Sequence, residues 1–282
     1  MPYRDILLAA LTYPDATPDR ALRSGVALAK RLGGELTLLT VRVDIPAMTN
    51  VLANALAHMD QVAAQAEARS ATAALLEAAC ARIAAEDAEA AIRTDTVIAR
   101  LFEETDAVCR AARTRDITLL PVGRTVPASR GLAEATLFGS GRPILVYSED
   151  HEVAPAEDFD HVAIAWDGGA RAARAVADAL PLLRRATSVR IFTALGDKPQ
   201  AVKGCADDLV RHLAAHGVAA ILDECLAHDE TIGHRFEGYV AATSPDLLVM
   251  GGFGHARIRE FVLGGATQAV LEAPPCPVLM SH

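Results

Sequence analysis

Short apolar runs alternate along the chain with longer segments in which apolar residues recur at helical spacing. The runs DILLAAL, from Asp5, and HVAIAWD, from His161, are apolar almost throughout, as expected for strands of a sheet that is covered on both faces. A helical pattern follows each run, at Pro18–Leu32 and at Ala170–Arg185. Strands that alternate with helices in this way predict parallel βαβ units with right-handed crossovers.

The alternation repeats, so the chain has the pattern of two copies of one unit. We predict an α/β fold of two doubly wound domains, 1–150 and 158–282, each with a five-stranded, mainly parallel sheet. The acidic stretch Glu149–Asp158 is the predicted linker. Each half ends in a short apolar strand, Ile144–Tyr147 or Val278–Met280, and such strands pair when their edges are open. We expect them to pair antiparallel, which makes a pseudo-dimer with a pseudo-two-fold axis inside one chain and leaves a homodimer of chains open.

Composition and charge limit the partners. The 282 residues carry a formal net charge of −9, which argues against a general affinity for nucleic acid. No apolar run approaches the roughly 20 residues of a membrane span, and the first run is too short for a secretory signal. We therefore expect a cytoplasmic protein.

The cysteines form neither a CxxC pair nor a zinc pattern, and inert thiols are the simplest interpretation: Cys80, Cys109, Cys205, Cys225 and Cys276.

The candidate chemistry lies near the carboxyl end, in LLVMGGFGHARIREFVLGGATQAVLEAPPCPVL, which begins at Leu247. Glycines follow a predicted strand at Gly251, Gly252 and Gly254, and a predicted helix starts just after Gly264 and Gly265. Glycine lets a ligand approach the backbone closely. A helix amino terminus adds free N–H groups and positive potential, which together suit an anion such as phosphate. Open α/β sheets bind ligands at this carboxyl edge of their strands.

The spacing G-x2-G-x9-G, formed by Gly251, Gly254 and Gly264, resembles the nucleotide loop of the universal stress protein family. Asp167-Gly168 at the end of a strand and the closing run from Cys276 also fit that family, and the resemblance covers the chain as a tandem pair of domains. It implies that ATP, with or without Mg²⁺, binds in the second half. The implied contacts to the phosphates and the adenine come from Ala165, Asp167, Ala194, Gly251, Gly254, His255, Gly264, Gly265, Ala266 and Thr267.

Two residues depart from the family pattern. Gly265 stands where a serine or threonine usually follows the last loop glycine, so one hydroxyl–phosphate hydrogen bond is missing, and Thr267 is a candidate substitute. Gly169 replaces the usual serine after Asp-Gly. Asp167 either contacts the base or ribose or caps the following helix, since aspartate is a good N-cap. His255 and the nearby loop arginines either neutralise phosphates or belong to a solvated loop face or a subunit contact.

The first half lacks the paired glycines, and two comparisons favour loss of its site. Its connection to the closing strand is about six residues shorter when counted from Gly123 than that of the second half counted from Gly251. Laying the opening strand of one half on that of the other makes Thr12 the counterpart of Asp167. We therefore expect the first half to be a degenerate, structural partner.

No catalytic constellation accompanies the predicted site. The lysine-bearing phosphate loop and the GxSxG elbow are both absent, and His212 and His216 form an i, i+4 pair without an evident third metal ligand. We expect an ATP-binding stress-response or regulatory protein with an unknown protein partner and at most slow ATP hydrolysis. The alternative is a nucleotide-free interaction or dimerisation module, with the alanine-rich helix predicted from Val51 to Ala90 as its working surface.

Overall fold

The structure is a computed structural model. It describes residues 3–44, 59–87, 91–124, 126–154, 156–195, 204, 206–226, 232–252 and 265–282. For 59–66, 194–195, 224–226 and 232–234 the description covers the backbone alone.

The first half contains five strands and four helices within the described residues. Its strands and helices are β1 (Asp5–Leu11), α1 (Asp19–Leu32), β2 (Glu35–Asp44), α2 (Met59–Glu86), β3 (Ile92–Arg100), α3 (Glu104–Ala112), β4 (Ile117–Val122), α4 (Pro127–Gly139) and β5 (Ile144–Ser148). Helix α1 ends at Leu32, as predicted, and its C-cap is Gly33, whose φ of 82° is the left-handed conformation that glycine adopts without strain.

The second half repeats this order. Its strands and helices are β6 (His161–Ala165), α5 (Ala170–Leu183), β7 (Ser188–Leu195), α6 (Asp207–Ala215), β8 (Ala220–Leu226), α7 (Ile232–Thr243), β9 (Leu247–Gly251), α8 (Gly265–Glu272) and β10 (Val278–Ser281). The predicted α/β fold with two doubly wound halves is confirmed.

The ten strands within the described residues form one continuous sheet in the order β3-β2-β1-β4-β5-β10-β9-β6-β7-β8. The strands of each half are parallel, and the halves join where β5 pairs antiparallel with β10. In this pairing Leu145 lies opposite Leu279, with Val146–Val278 and Ile144–Met280 on either side. The predicted antiparallel junction is therefore confirmed, and it removes two edges that would otherwise be exposed.

Matching hydrogen bonds define the pseudo-two-fold axis. The N–H of Asp116 donates to the carbonyl of Asp5, and the N–H of Asp246 donates to the carbonyl of His161, both at 2.8 Å. The Asp116 carboxylate also accepts the N–H of Asp5, as the Asp246 carboxylate accepts that of His161. Asp5 and His161 are thus equivalent, and the axis passes through the Leu145–Leu279 pair.

This register corrects the sequence alignment of the two halves at two positions, by one residue and by two residues. Because Asp5 is equivalent to His161, the counterpart of Asp167 is Leu11 and not Thr12. The β4 and β9 registers likewise make Pro121, not Gly123, the counterpart of Gly251. Counted from equivalent residues, the first half's connection is about four residues shorter and not six. A slip of one residue moves a side chain to the other face of a strand, so apolar runs alone did not fix the alignment.

Helices cover both faces of the sheet and bury two apolar layers. One layer packs beneath α1, α2, α5 and α6, and the other packs beneath α3, α4, α7 and α8. The first layer also crosses between the halves. There the guanidinium of Arg31 lies 5.4 Å from the ring centre of Phe159 and donates to the carbonyl of Ala154 in the linker. The two halves therefore share one core at the junction.

Candidate nucleotide site

The carboxyl edge of the second half is built from three adjacent strands. Strand β6 ends at Ala165, which pairs with Met250 of β9, and β9 ends one residue later at Gly251. On the other side of β6, Ala194 lies in β7 two residues beyond the partner of Ala165. The structure thus brings Ala165, Gly251 and Ala194 to one edge, where parallel sheets place ligands.

Gly251 is required by the approach of a helix. A Cβ at this position would lie 2.5 Å from the backbone nitrogen of Ala172 and 2.7 Å from the carbonyl carbon of Arg171. These backbone atoms belong to the first turn of α5 and cannot move aside cheaply. The glycine therefore lets the amino terminus of α5 close over the end of β9, whether or not a ligand is present.

Gly252 is explained by the other half of the chain. A Cβ there would lie 2.6 Å from a terminal methyl of Leu137, a buried residue of α4. Its N–H donates to the carbonyl of Ser281 at 2.8 Å, which extends the β9–β10 pairing by one residue. Helix α4 of the first half thus forms part of the wall beside the second half's carboxyl edge.

Asp167 holds the turn between β6 and α5. One of its carboxylate oxygens accepts the N–H of Gly169 at 2.9 Å, and Gly169 is itself the N-cap residue of α5. Such a bond two residues along the chain is typical of an Asx turn. Asp167 therefore shapes the entry to α5 without being its N-cap, and its half-buried side chain remains at the carboxyl edge.

Helix α8 begins on the same edge, because a connection between parallel strands leaves from the carboxyl end of the first strand. Its first residue, Gly265, is exposed, and Ala266 is half-buried. Thr267 is fully buried and interacts within the protein, so its hydroxyl packs inward and is a poor substitute for the missing serine. Gly254, His255 and Gly264 lie outside the described residues.

An arginine and a histidine near this edge were not singled out by sequence reasoning. Arg171 is the second residue of α5, and its Cβ faces Gly251. His282 directly follows β10 and packs edge-to-face on Phe138, with ring centres 4.7 Å apart. Partial burial and the nearby Arg171 charge lower the pKa of His282. Neither position is marked by a motif, since both depend on how β9 and β10 meet.

The equivalent edge of the first half is closed by its own polar side chains. The Thr17 hydroxyl accepts the N–H of Leu11 at 3.0 Å, and the N–H of Thr17 donates back to the Leu11 carbonyl. The Ser129 hydroxyl accepts the N–H of Gly123 at 3.2 Å. Backbone groups that could face a ligand are therefore satisfied internally.

The described residues give no support to a metal site. Among them there is no group of three or more His, Cys, Asp or Glu side chains that could hold an ion. His212 and His216 pack edge-to-face with ring centres 4.7 Å apart, and Nδ1 of His216 lies 3.0 Å from a guanidinium nitrogen of Arg184. This pair is a helix-surface contact. None of the described helices is both long and apolar enough to cross a bilayer.

Comparison with known proteins decides the family. The sequence model of the universal stress protein family matches the chain twice, at residues 2–140 and 158–282. The chain belongs to the universal stress protein family. The suspected tandem arrangement is thereby confirmed, while the predicted domain limits of 1–150 and 158–282 stay a prediction.

Solved structures of similar fold cover nearly the whole chain. A universal stress protein from Archaeoglobus fulgidus is 16% identical, with a TM-score of 0.66, and the match covers 98% of this chain and 95% of that one. A putative universal stress protein from Pseudomonas aeruginosa is 12% identical, with a TM-score of 0.52, covering 99% and 93%. At these identities the likeness shows the fold alone. No curated protein matches the chain.

Proposed function

We propose that this universal stress protein binds an adenine nucleotide, ATP, at the carboxyl edge of its second half. The observation that carries the proposal is the meeting of glycine-ended β9 and the amino terminus of α8 on one edge, with Asp167 and Ala165 beside them. Backbone N–H groups at such an edge suit phosphates. The adenine would lie against Ala165, Asp167 and Ala194.

The electrostatics of the described edge support an anionic ligand. The protein as a whole is acidic, with a net charge of −9, yet the cationic residue Arg171 lies beside Gly251. A local cationic environment of this kind favours a phosphate tail over a neutral ligand. Mg²⁺ would enter with the triphosphate, because the described residues offer no carboxylate cluster of their own.

The protein would act as a nucleotide-dependent regulator whose occupied state is read by a partner protein. The described residues of this edge include no nucleophile–base pair, and we expect hydrolysis to be slow at most. The first half would contribute structure, because Thr17 and Ser129 already satisfy the backbone groups of its own edge.

One observation favours the alternative of a nucleotide-free interaction module. Gly251 and Gly252 are both explained by packing, against α5 and against Leu137, so neither needs a ligand to account for it. Helix α2 would then supply the working surface. Leu75 on that helix is 73% exposed.

Thermal unfolding with ATP, ADP, AMP and GTP distinguishes a nucleotide-binding protein from a nucleotide-free interaction module. A ligand present at about 100 times its dissociation constant stabilises the folded state by about 2.7 kcal/mol. We expect ATP to raise the Tm, with and without Mg²⁺ as separate arms. No shift with any of the four nucleotides would reject the proposal in favour of the interaction module, and steady phosphate release would add an enzymatic activity.

A variant in the predicted loop tests the location. Gly264→Val places a branched side chain where the resemblance puts a phosphate, so we expect the nucleotide response to disappear while the ligand-free Tm changes little. The matched control is Gly238→Ala in α7, where a Cβ would meet nothing within 4 Å. Trp166, the single tryptophan, precedes Asp167 and supplies an independent fluorescence signal. Normal binding by Gly264→Val would show that the loop assignment is wrong.

The adenine side of the site has its own variant. Asp167→Ala removes the carboxylate beside Ala165 and also the hydrogen bond to the N–H of Gly169. We expect the preference for ATP over GTP to fall more than the affinity for the phosphate tail. Titrations of ATP, GTP and inorganic triphosphate, followed by Trp166 fluorescence, measure both quantities.

A further inference from the structure

Glu149 is a buried carboxylate at the closed edge of the first half. It directly follows β5 and opens the linker, and only 8% of its surface is exposed. A Cβ on Gly123 would lie 1.8 Å from one carboxylate oxygen and 2.4 Å from the carboxylate carbon. The Glu149 side chain therefore fills the space above Gly123 that any larger residue would occupy.

The linker is attached to the first half around this side chain. The N–H of Glu149 donates to the carbonyl of Val122, and the guanidinium of Arg20 donates to the carbonyl of Glu149 at 2.6 Å. Farther along, the N–H of Val153 donates to the hydroxyl of Ser24 at 3.0 Å. The conformation of Glu149 thus bears on how firmly the linker stays in place.

The charges around the carboxylate are mostly unfavourable. Asp150, the next residue, and Asp15, in the connection between β1 and α1, are acidic neighbours, and Arg20 of α1 is the cationic one. Arg20 directs its hydrogen bond to the Glu149 backbone, and another of its nitrogens lies 3.6 Å from Asp150. Tyr147 of β5, another titratable neighbour, donates its hydroxyl to the carbonyl of Ala21.

Hydrogen bonding does not compensate this burial. None of the described residues donates a hydrogen bond to the Glu149 carboxylate, so hydrogen bonds to its ionised form are left to the little solvent that reaches a residue 8% exposed. Burial, followed by the charge of Asp150, raises the pKa of Glu149.

We propose that Glu149 is a proton-responsive latch, which holds the linker firmly against the first half when protonated and weakens that attachment when ionised. The inference does not depend on nucleotide binding. It assigns a regulatory role to the half that lacks the glycine loop, at the junction through which both halves are joined.

The sign of the effect follows from linkage. A carboxyl whose pKa is higher in the folded state than in the unfolded chain favours folding in its neutral form. Its contribution is present below the ordinary glutamate value of 4.5 and is lost as the pH rises through the raised value. Acidification from neutral pH towards that value should therefore stabilise the folded state, by up to about tenfold in the unfolding constant per pH unit for one proton.

Amide hydrogen exchange at Val153, corrected for the intrinsic exchange rate, measures how firmly the linker is attached at this point. In the wild type we expect protection of this amide to increase several-fold as the pH falls from 7.5 to the ordinary glutamate value of 4.5, accompanied by a rise in Tm. Glu149→Gln keeps the shape and removes the charge, so its protection should be high already at pH 7.5 and should not change with pH. Glu152→Gln, at an exposed position three residues along the linker, is the control and should behave as the wild type does.

Gly123→Ala tests the same latch by displacing the Glu149 carboxylate instead of removing its charge. The new methyl would force the carboxylate out of its position and into solvent, so linker protection should be low at both pH values while the fold is retained. A Val153 protection that changes with pH equally in wild type, Glu149→Gln and Gly123→Ala would overturn the proposal. So would a wild-type protection that is independent of pH.

Discussion

The carboxyl edges of the two halves differ, although a pseudo-two-fold axis relates the strands that end there. In the first half β1 runs on to Leu11, and the connection 12–18 folds back so that Thr17 satisfies the end of the strand. In the second half β6 stops at Ala165, and the short connection 166–169 leads at once into α5. One edge is thus closed by the protein itself, and the other ends in glycines.

This difference shows where the family fold separates structure from function. The ten-stranded sheet and the two apolar layers need apolar residues in the strands of both halves, because the sheet is covered on two faces. The connections beyond the strands are not constrained in that way and carry the differences. The contrast between the halves can be strengthened or broken by substitutions at these connections.

The largest effect is expected at Gly251. In Gly251→Ala the methyl would meet the backbone of Arg171 and Ala172, which cannot rotate away, so we expect a loss of about 3 kcal/mol in the free energy of unfolding. Urea unfolding measures this loss. The matched control is Gly131→Ala in α4, where a Cβ has open space, and a gain of about 0.5–1 kcal/mol is expected there.

The Gly251 result also bears on the ligand. If Gly251→Ala is as stable as the wild type, the close approach of α5 is wrong, and the glycine must be explained by a bound molecule. If it is destabilised but still responds to ATP in proportion to its folded fraction, packing alone accounts for this glycine.

A smaller effect is expected at Gly252, where the clash is with a side chain of the other half. We expect Gly252→Ala to cost about 1–2 kcal/mol, because the methyl of Leu137 can shift only partly in its buried position. In a Leu137→Ala background the same substitution should cost less, with a coupling of about 1 kcal/mol. Additive costs in this double-mutant cycle would mean that α4 does not form the wall beside the second half's edge.

Sequence reasoning predicted the architecture well because the signals were local and repeated. Each strand and helix was specified by its own apolar run or helical spacing. The closing strands Ile144–Tyr147 and Val278–Met280 would have had open edges, so their pairing could be predicted as well. The alignment of the halves was less secure, since the strands are buried on both faces and their continuous apolar runs hardly change when they are shifted by one residue. The register therefore moved the counterpart of Asp167 from Thr12 to Leu11.

For the candidate site, the sequence predicted where the backbone lies at the sheet edge but not which side chains pack there. Glycine spacing indicated the edge, but the contacts of Gly252 with Leu137 and the burial of Glu149 over Gly123 join residues that are far apart in sequence. No periodicity reports such contacts. Thr267 illustrates the same limit, because a helical residue's face depends on where the helix packs, and this one packs inward.

Thr17 tests how the first half closes its edge, with an expected effect similar to or smaller than that at Gly252. Thr17→Val keeps the shape and leaves the buried N–H of Leu11 without its partner, so we expect a loss of about 1–2 kcal/mol. Thr17→Ser keeps the hydroxyl and should lose less. The ATP response of the second half should be unchanged in both variants, and a changed response would show that the first half's edge takes part in binding.

The smallest effect is expected where the long helix of the first half is held to α1 by surface ion pairs. Arg82 of α2 contacts Asp19 of α1 and Glu86 of its own helix, and Arg23 of α1 pairs with both carboxylates. Hydrogen bonding from Arg23 lowers the pKa of Glu86, so the contribution is present above the ordinary value of 4.5 and is lost as the pH falls below it. Exposed pairs contribute little, and Arg82→Ala should lower the Tm by no more than about 2 °C at neutral pH, less in high salt. A larger decrease would mean that these pairs fix α2 in place, and the alternative function based on that helix would then gain a rigid surface from which to act.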